Sequence, residues 1–283
     1  MPGHEGVHHF PREIAPGILW FGNCLRITMG GEVFHSHLGV YLLKGNEKTL
    51  LVDTGMTRHW KSMRRQIDRA LDGRSLDYVF PTHPEVPHCS NIPNLLDHYP
   101  GSRVVGDVRD YHLYYPEYAD RFGEMGAGDV IDLGGQRVVF VPAVIRDLPS
   151  SLWAYEETRQ VMFVADGFGF AHAGSDDPSR DDPLHRPGEC ALTSEEIIDG
   201  LQVGRGEFVV RAALYWSRFV DPAPLFAEMR DLLTAHPATI IAPAHGNVVV
   251  DVPRTLPIAQ QTHANAFGGA FPSSAAVPVP RVL

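Results

Sequence analysis

Apolar positions come in short blocks along this chain, separated by glycine, proline and acidic turns, and the spacing within each block separates strands from helices. Ile18 to Gly22, after Pro16-Gly17, predicts a first strand. Leu38 to Leu43 and Thr49 to Asp53 flank Lys44-Gly45-Asn46-Glu47 and predict a hairpin. Arg58 to Leu71 places Trp60, Met63, Ile67 and Leu71 at helical spacing. Tyr78 to Phe80 is a strand running into Pro81-Thr82-His83, and a helix is expected after Cys89-Ser90 with Leu95 and Leu96 facing inward. Arg103 to Val105 is a short strand, Val130 to Val141 holds two around Gly134-Gly135, and Trp153 to Tyr155 with Gln160 to Ala165 makes another hairpin.

Residues 167 to 191 break this rhythm with Gly, Ser, Asp and Pro, and read as a long excursion. Thr193 to Leu201 predicts a helix opened by a capping box of Thr193 with Glu196. A further helix is expected over Pro222 to His236, then a strand from Thr239 to Ala242 leading into Pro243-Ala244-His245-Gly246. Paired strands with interspersed helices favour an α/β fold of mixed sheets flanked by helices. No linker divides residues 1–267, which are expected to form one domain, with 268–283 a flexible Gly/Ala/Pro tail.

Composition narrows the classes. The 283 residues are 44% hydrophobic and 20% charged, ordinary values for a chain with a real core. A formal net charge of −10 and the lack of a basic stripe argue against nucleic acid as a partner. The basic stretch Arg58 to Arg65 reads as the solvated face of a helix. No apolar run reaches membrane-helix length and the N-terminus lacks a signal-peptide layout, so a cytoplasmic location with no membrane partner is the expectation. Cys24, Cys89 and Cys190 are an odd, widely spaced set, unsuited to a disulfide framework and without CxxC spacing.

Metal-ligand side chains gather at strand ends. His83, Glu85 and His88 crowd one loop stiffened by Pro84 and Pro87, while Asp166 and His245 each follow an apolar strand directly. Imidazole and carboxylate together suit iron, zinc or manganese, and Asp166 could bridge two ions. A single histidine after a strand is more often packed or solvated than a ligand; the His-x-Glu-x-x-His spacing is the stronger signal.

The order of Leu51-Val52-Asp53-Thr54-Gly55, Thr82-His83-Pro84-Glu85-Val86-Pro87-His88, Phe163 to Gly169 and Pro243-Ala244-His245-Gly246 resembles the metallo-β-lactamase superfamily over about residues 10–265. Within it the chain resembles most the diiron domain of flavodiiron proteins, because Glu85 stands where the hydrolases have a second histidine. The resemblance implies an αβ/βα sandwich of two mixed sheets with the metal site at one edge. Two positions depart from that pattern. Pro87 replaces an aspartate, and Asp147 stands where a histidine is expected. Asp147 either ligates through its carboxylate or pairs with Arg146. A pair of ions would be held by His83, Glu85, Asp147 and bridging Asp166 on one side, and by His88, His245 and Asp166 on the other; one ion alone is the competing expectation.

The resemblance implies a non-haem iron oxidoreductase that binds or activates dioxygen or a similar small oxidant, with iron as cofactor and zinc or manganese as substitutes. An electron donor would be a separate protein, since no flavodoxin-like extension is seen, and a homodimer is implied. The alternative is a zinc hydrolase of an ester, lactone, thioester or phosphoester, and a third reading is a binding or sensing protein on a decayed site. Asp53 resembles the strand-end aspartate that braces the ligand loop in this superfamily, with an ordinary turn aspartate as the other reading. His35 and His37 read as solvated hairpin residues, with lining of the pocket as the other reading; Tyr155, Phe168 and Phe170 read as core, with an apolar wall of the pocket as the other; and Cys89 reads as a small apolar group.

Overall fold

A computed structural model describes residues 10–29, 32–172, 189–197 and 200–267. The first half of the chain builds a seven-stranded sheet in sequential order: β1 (Arg12–Ala15), β2 (Ile18–Met29), β3 (Glu32–Lys44), β4 (Thr49–Val52), β5 (Tyr78–Phe80), β6 (Arg103–Gly106) and β7 (Phe122–Glu124). The strands β1 to β4 pair antiparallel, and β4 to β7 pair parallel. Short connections make the antiparallel part, whereas α1 (Trp60–Leu71) provides the crossover a parallel pair requires. The helices α2 (Val86–Cys89), α3 (Ile92–His98) and α4 (Tyr111–Tyr114) lie on the later connections.

The remaining strands form a five-stranded sheet ordered β12-β11-β10-β9-β8, comprising β8 (Val130–Asp132), β9 (Arg137–Pro142), β10 (Leu152–Glu156), β11 (Val161–Phe163) and β12 (Ile240–Ala242). Only β11 and β12 run parallel. The inner faces of the two sheets meet through Trp20, Tyr41, Phe80, Phe140 and Phe163. Outside the first sheet, Met63 and Ile67 of α1 pack with Leu95 and Leu96 of α3. Outside the second, α5 (Val203–Ala213), α6 (Pro222–Ala235) and α7 (Val252–Ala266) cover Trp153, Tyr155 and Met162. This is the αβ/βα sandwich of mixed sheets that the pattern and the resemblance imply.

Three expectations are corrected. The strand from Ile18 continues to Met29, because β3 pairs with it from Leu43 down to Glu32 and carries its polar residues in register. His35 and His37 are buried, at 1% and 0% exposure, since this long hairpin is covered on the face they occupy. The helix expected from Thr193 does not form across the described residues 193–197, where the chain turns. Glu196 does reach back to the Thr193 backbone N–H at 2.6 Å while its carboxylate is also held by Arg12 at 2.7 Å, and the Ser194 amide pairs with the Val248 carbonyl, so tertiary contacts hold this segment as a turn. The sequence reading also missed α5 and α7. The expected tail 268–283 and residues 173–188 of the excursion lie outside the described residues. Among the described residues no helix is long and apolar enough to cross a membrane.

Candidate metal centre

Five loops at one edge of the sandwich deliver the candidate ligands and Asp53, which braces them. The turn after β4 carries Asp53, the loop after β5 carries His83 and Glu85, and α2 carries His88. The β9–β10 connection supplies Asp147, the turn after β11 supplies Asp166, and the turn after β12 supplies His245. Proline at the second position of α2 is tolerated because first-turn amides have no partner within the helix. Gly246 has φ +105°, and a Cβ there would stand 2.3 Å from the Phe170 carbonyl oxygen, so only glycine lets the His245 loop turn this tightly.

Asp166 is the centre of the arrangement. One oxygen, Oδ1, lies 3.0 Å from His245 Nε2 and 3.3 Å from His88 Nε2. The other, Oδ2, lies 3.5 Å from His83 Nε2, which in turn is 3.3 Å from Asp147 Oδ2 and 4.0 Å from Glu85 Oε2. These approaches lack hydrogen-bond geometry: His83 Nε2, His88 Nε2, Asp147 Oδ2 and both Asp166 oxygens have no hydrogen-bond partner among the described residues. Buried polar atoms are rarely left so. Donors bound to one ion at roughly 2.0–2.2 Å sit about 3.0–3.5 Å apart, which matches the spacing of this cluster. The donor set therefore fits metal, with Asp166 presenting one oxygen to each of two groups.

The surrounding bonds fix these side chains. Asp53 accepts from the Thr82 backbone N–H and hydroxyl through Oδ1, both at 2.8 Å, and its Oδ2 lies 3.0 Å from His88 Nδ1. That contact fixes the ring and turns Nε2 toward Asp166, as an outer carboxylate does behind a metal-bound histidine. Asp147 uses Oδ1 on the Leu148 backbone N–H at 2.9 Å and the Ser151 hydroxyl at 3.1 Å, so Oδ2 remains for the centre. Arg146 instead donates to the Ala143 carbonyl. Glu85 is the loosest member, with a half-exposed side chain.

Charge explains the proton distribution. Burial disfavours a charged His88, yet Asp53 and Asp166 on either side outweigh it and hold its pKa well above the ordinary value. Burial likewise opposes the Asp166 carboxylate, but His88 and His245 keep its pKa well below the usual range. His83 is pushed down to about 3 by burial and by the neighbouring His88 charge. Burial, then Asp166 and Glu85, raise Asp147 to about 6. A multivalent cation would replace the His88 proton and relieve the crowding of carboxylates.

The six residues singled out in the sequence are thus gathered at one edge, and Asp53 takes the bracing place expected of it. Cys89, beside His88, packs against the α1–α3 core, and burial raises its thiol to about 12.

Residues 40–191 match the model of the metallo-β-lactamase superfamily. The anaerobic nitric oxide reductase flavorubredoxin of Aliivibrio salmonicida is 25% identical over 223 residues, covering 75% of this chain and 40% of that protein. Among solved structures, the flavodiiron protein of Giardia intestinalis superimposes with a TM-score of 0.69 at 15% identity, covering 93% of this chain and 60% of that one. Rubredoxin oxygen:oxidoreductase of Desulfovibrio gigas gives 0.65 at 19% identity, covering 90% and 61% respectively. The chain spans about two-fifths of the length of the curated flavorubredoxins it matches.

Proposed function

This chain belongs to the metallo-β-lactamase superfamily, and from that premise we propose that it is a non-haem diiron oxidoreductase acting on a small oxidant, dioxygen or nitric oxide. The observation that carries the reading is Asp166, buried, with each carboxylate oxygen facing a separate set of donors. His83, Glu85, Asp147 and Asp166 would hold one ion, and His88, His245 and Asp166 the other. Iron held by these residues would supply the redox chemistry, giving electrons to the oxidant.

The protein's own contribution is positional. Asp147 and Glu85 add hard oxygen donors, which suit iron. Asp53 orients His88 and keeps its Nε2 on the Asp166 side. Three donors in the second group leave positions for a small exogenous molecule, as open catalytic sites do. Pro87 offers no carboxylate beside His88 to orient a water for hydrolysis, which supports redox chemistry over the hydrolase reading. The similar proteins support the choice of oxidant, since one is named for nitric oxide and another for oxygen. Electrons would come from a separate donor protein.

The test is protein purified without chelator from iron-supplemented cells. Two irons per chain and consumption of oxygen or nitric oxide with a chemical reductant are expected. Zinc as the sole metal, with no consumption of either gas after iron loading, would sink the proposal.

A further inference from the structure

The β2–β3 hairpin extends past the sheet core, and its outer half carries chemistry that the carboxylate-rich centre does not use. Its register sets Cys24 opposite His37 and Arg26 opposite His35. Opposed residues of an antiparallel pair share a face, as do residues two apart, so Cys24 and His35 are diagonal neighbours on one face. A third segment reaches the same place. The single turn Glu189–Ala191 brings the Cys190 Sγ to 3.2 Å from that of Cys24. Both sulfurs and a ring nitrogen of His35 lie within 4.8 Å of one another.

This turn is fixed from two sides. Asn247, two residues after His245, donates to the carbonyls of Glu189 at 2.9 Å and Leu192 at 2.8 Å. The Arg12 guanidinium donates to the Ala191 carbonyl. Cys190 is therefore buried and held, whereas Cys24 is exposed at the wall of a cavity of about 330 Å³ that it shares with Phe10, Arg65 and Arg69. An ion can reach the cluster from that side.

We propose that Cys24, His35 and Cys190 form a second metal site, distinct from the carboxylate-rich centre and suited to zinc. Two sulfurs and an imidazole are softer donors than the carboxylates around Asp166 and select zinc over iron held by oxygen. Zinc bonds of about 2.3 Å to sulfur and about 2.0 Å to nitrogen place tetrahedral donors roughly 3.4–3.8 Å apart, within small side-chain adjustments of the spacing here. His172 packs beside His35, with ring centroids 4.8 Å apart, and is a candidate for a fourth position. Hydrogen bonding with Cys24, followed by burial, raises the Cys190 thiol pKa. The thiolates would form as the ion binds, with release of protons. The site would tie the 189–192 turn to the hairpin and, through Asn247, brace the loop that carries His245.

Cobalt(II) added to the reduced 283-residue chain tests this. Thiolate-to-cobalt charge transfer absorbs in the near ultraviolet, and a centre without cysteine ligands cannot produce it. The band is expected in the native chain and lost in Cys24→Ser, a substitution at an exposed position. It should persist in Cys89→Ser and in Asp166→Ala, so a failure of the iron proposal would leave this one standing. Zinc per chain should fall by one ion in Cys24→Ser. No band in the reduced native chain, a band that survives Cys24→Ser, or a Cys24–Cys190 disulfide in protein purified with excess zinc and reductant would overturn it.

Discussion

Ala165 and Phe168 hold φ of +48° and +61° on either side of Asp166, and Asp53 has φ +61° at the end of β4. Each such conformation in a non-glycine residue costs about 1–3 kcal/mol and persists where the surroundings enforce it. Here the Ala165 carbonyl accepts from the Ala244 amide at 2.7 Å, and the Gly167 amide donates to Val164 at 2.8 Å, which locks the turn that aims Asp166. Asp166→Ala should abolish binding of both ions, whereas Asp147→Ala should remove one; elemental analysis of the purified variants separates the two outcomes. Asp53→Asn keeps the size of the side chain but weakens its hold on His88. A metal affinity lower by about 10- to 100-fold is expected by competition with a chelator. Most of these residues were legible in the sequence because each follows an apolar strand or sits in the His83–His88 spacing. The place of Asp147 was not, since a choice between a metal and Arg146 depends on where the β9–β10 loop lies. The Cys24, His35 and Cys190 cluster was invisible, because 166 residues separate the two cysteines and only folding joins them.

At the scale of elements, amphipathic α1 and the hairpins were readable because their apolar spacing is local. By contrast α5 opens with Val203-Gly204-Arg205-Gly206, and α7 begins at Val252-Pro253 and holds Pro257 inside. Both have weak intrinsic helix preference and are stabilised by packing on each other and on the second sheet. Phe226 of α6 is fully buried in that layer, and Phe226→Ala should cost about 3–5 kcal/mol in denaturant unfolding. His263 of α7 packs its ring 5.3 Å from Phe226, and burial pushes its pKa down to about 4 from 6.5. The unfolded chain therefore takes up this proton more readily than the folded one. The contribution is fully favourable above pH 6.5 and is lost as pH falls toward 4, by about 3 kcal/mol. His263→Phe should lose less stability between pH 7 and pH 4.5 than the native chain; an equal loss would exclude His263 as the cause.

For the whole molecule, the two sheets share one interior, so the described residues are expected to unfold as one unit. A single calorimetric transition is the expected outcome, and two resolved transitions would contradict it. Iron at 100 times its dissociation constant should add about 2.7 kcal/mol, and a chelator should take it away, so the melting temperature reports occupancy of the centre. The homodimer implied by the resemblance is tested by light scattering, where a mass of one chain would argue against it.

The sequence by itself determined most of the strands and turns, the mixed α/β class and five candidate ligands, because these follow from apolar spacing and from residue types at strand ends, whereas Asp147 entered only through the family resemblance. Tertiary structure decided the rest. It added Arg12 to the Thr193–Glu196 contact, gave the glycine- and proline-bearing α5 and α7 a surface to pack on, and buried His35 and His37. It also set Asp166 between two groups of donors and Cys190 against Cys24. The physical reason is range: spacing along the chain records contacts a few residues apart, whereas burial, ion pairing and metal-like clusters arise between segments that meet only when the two sheets close.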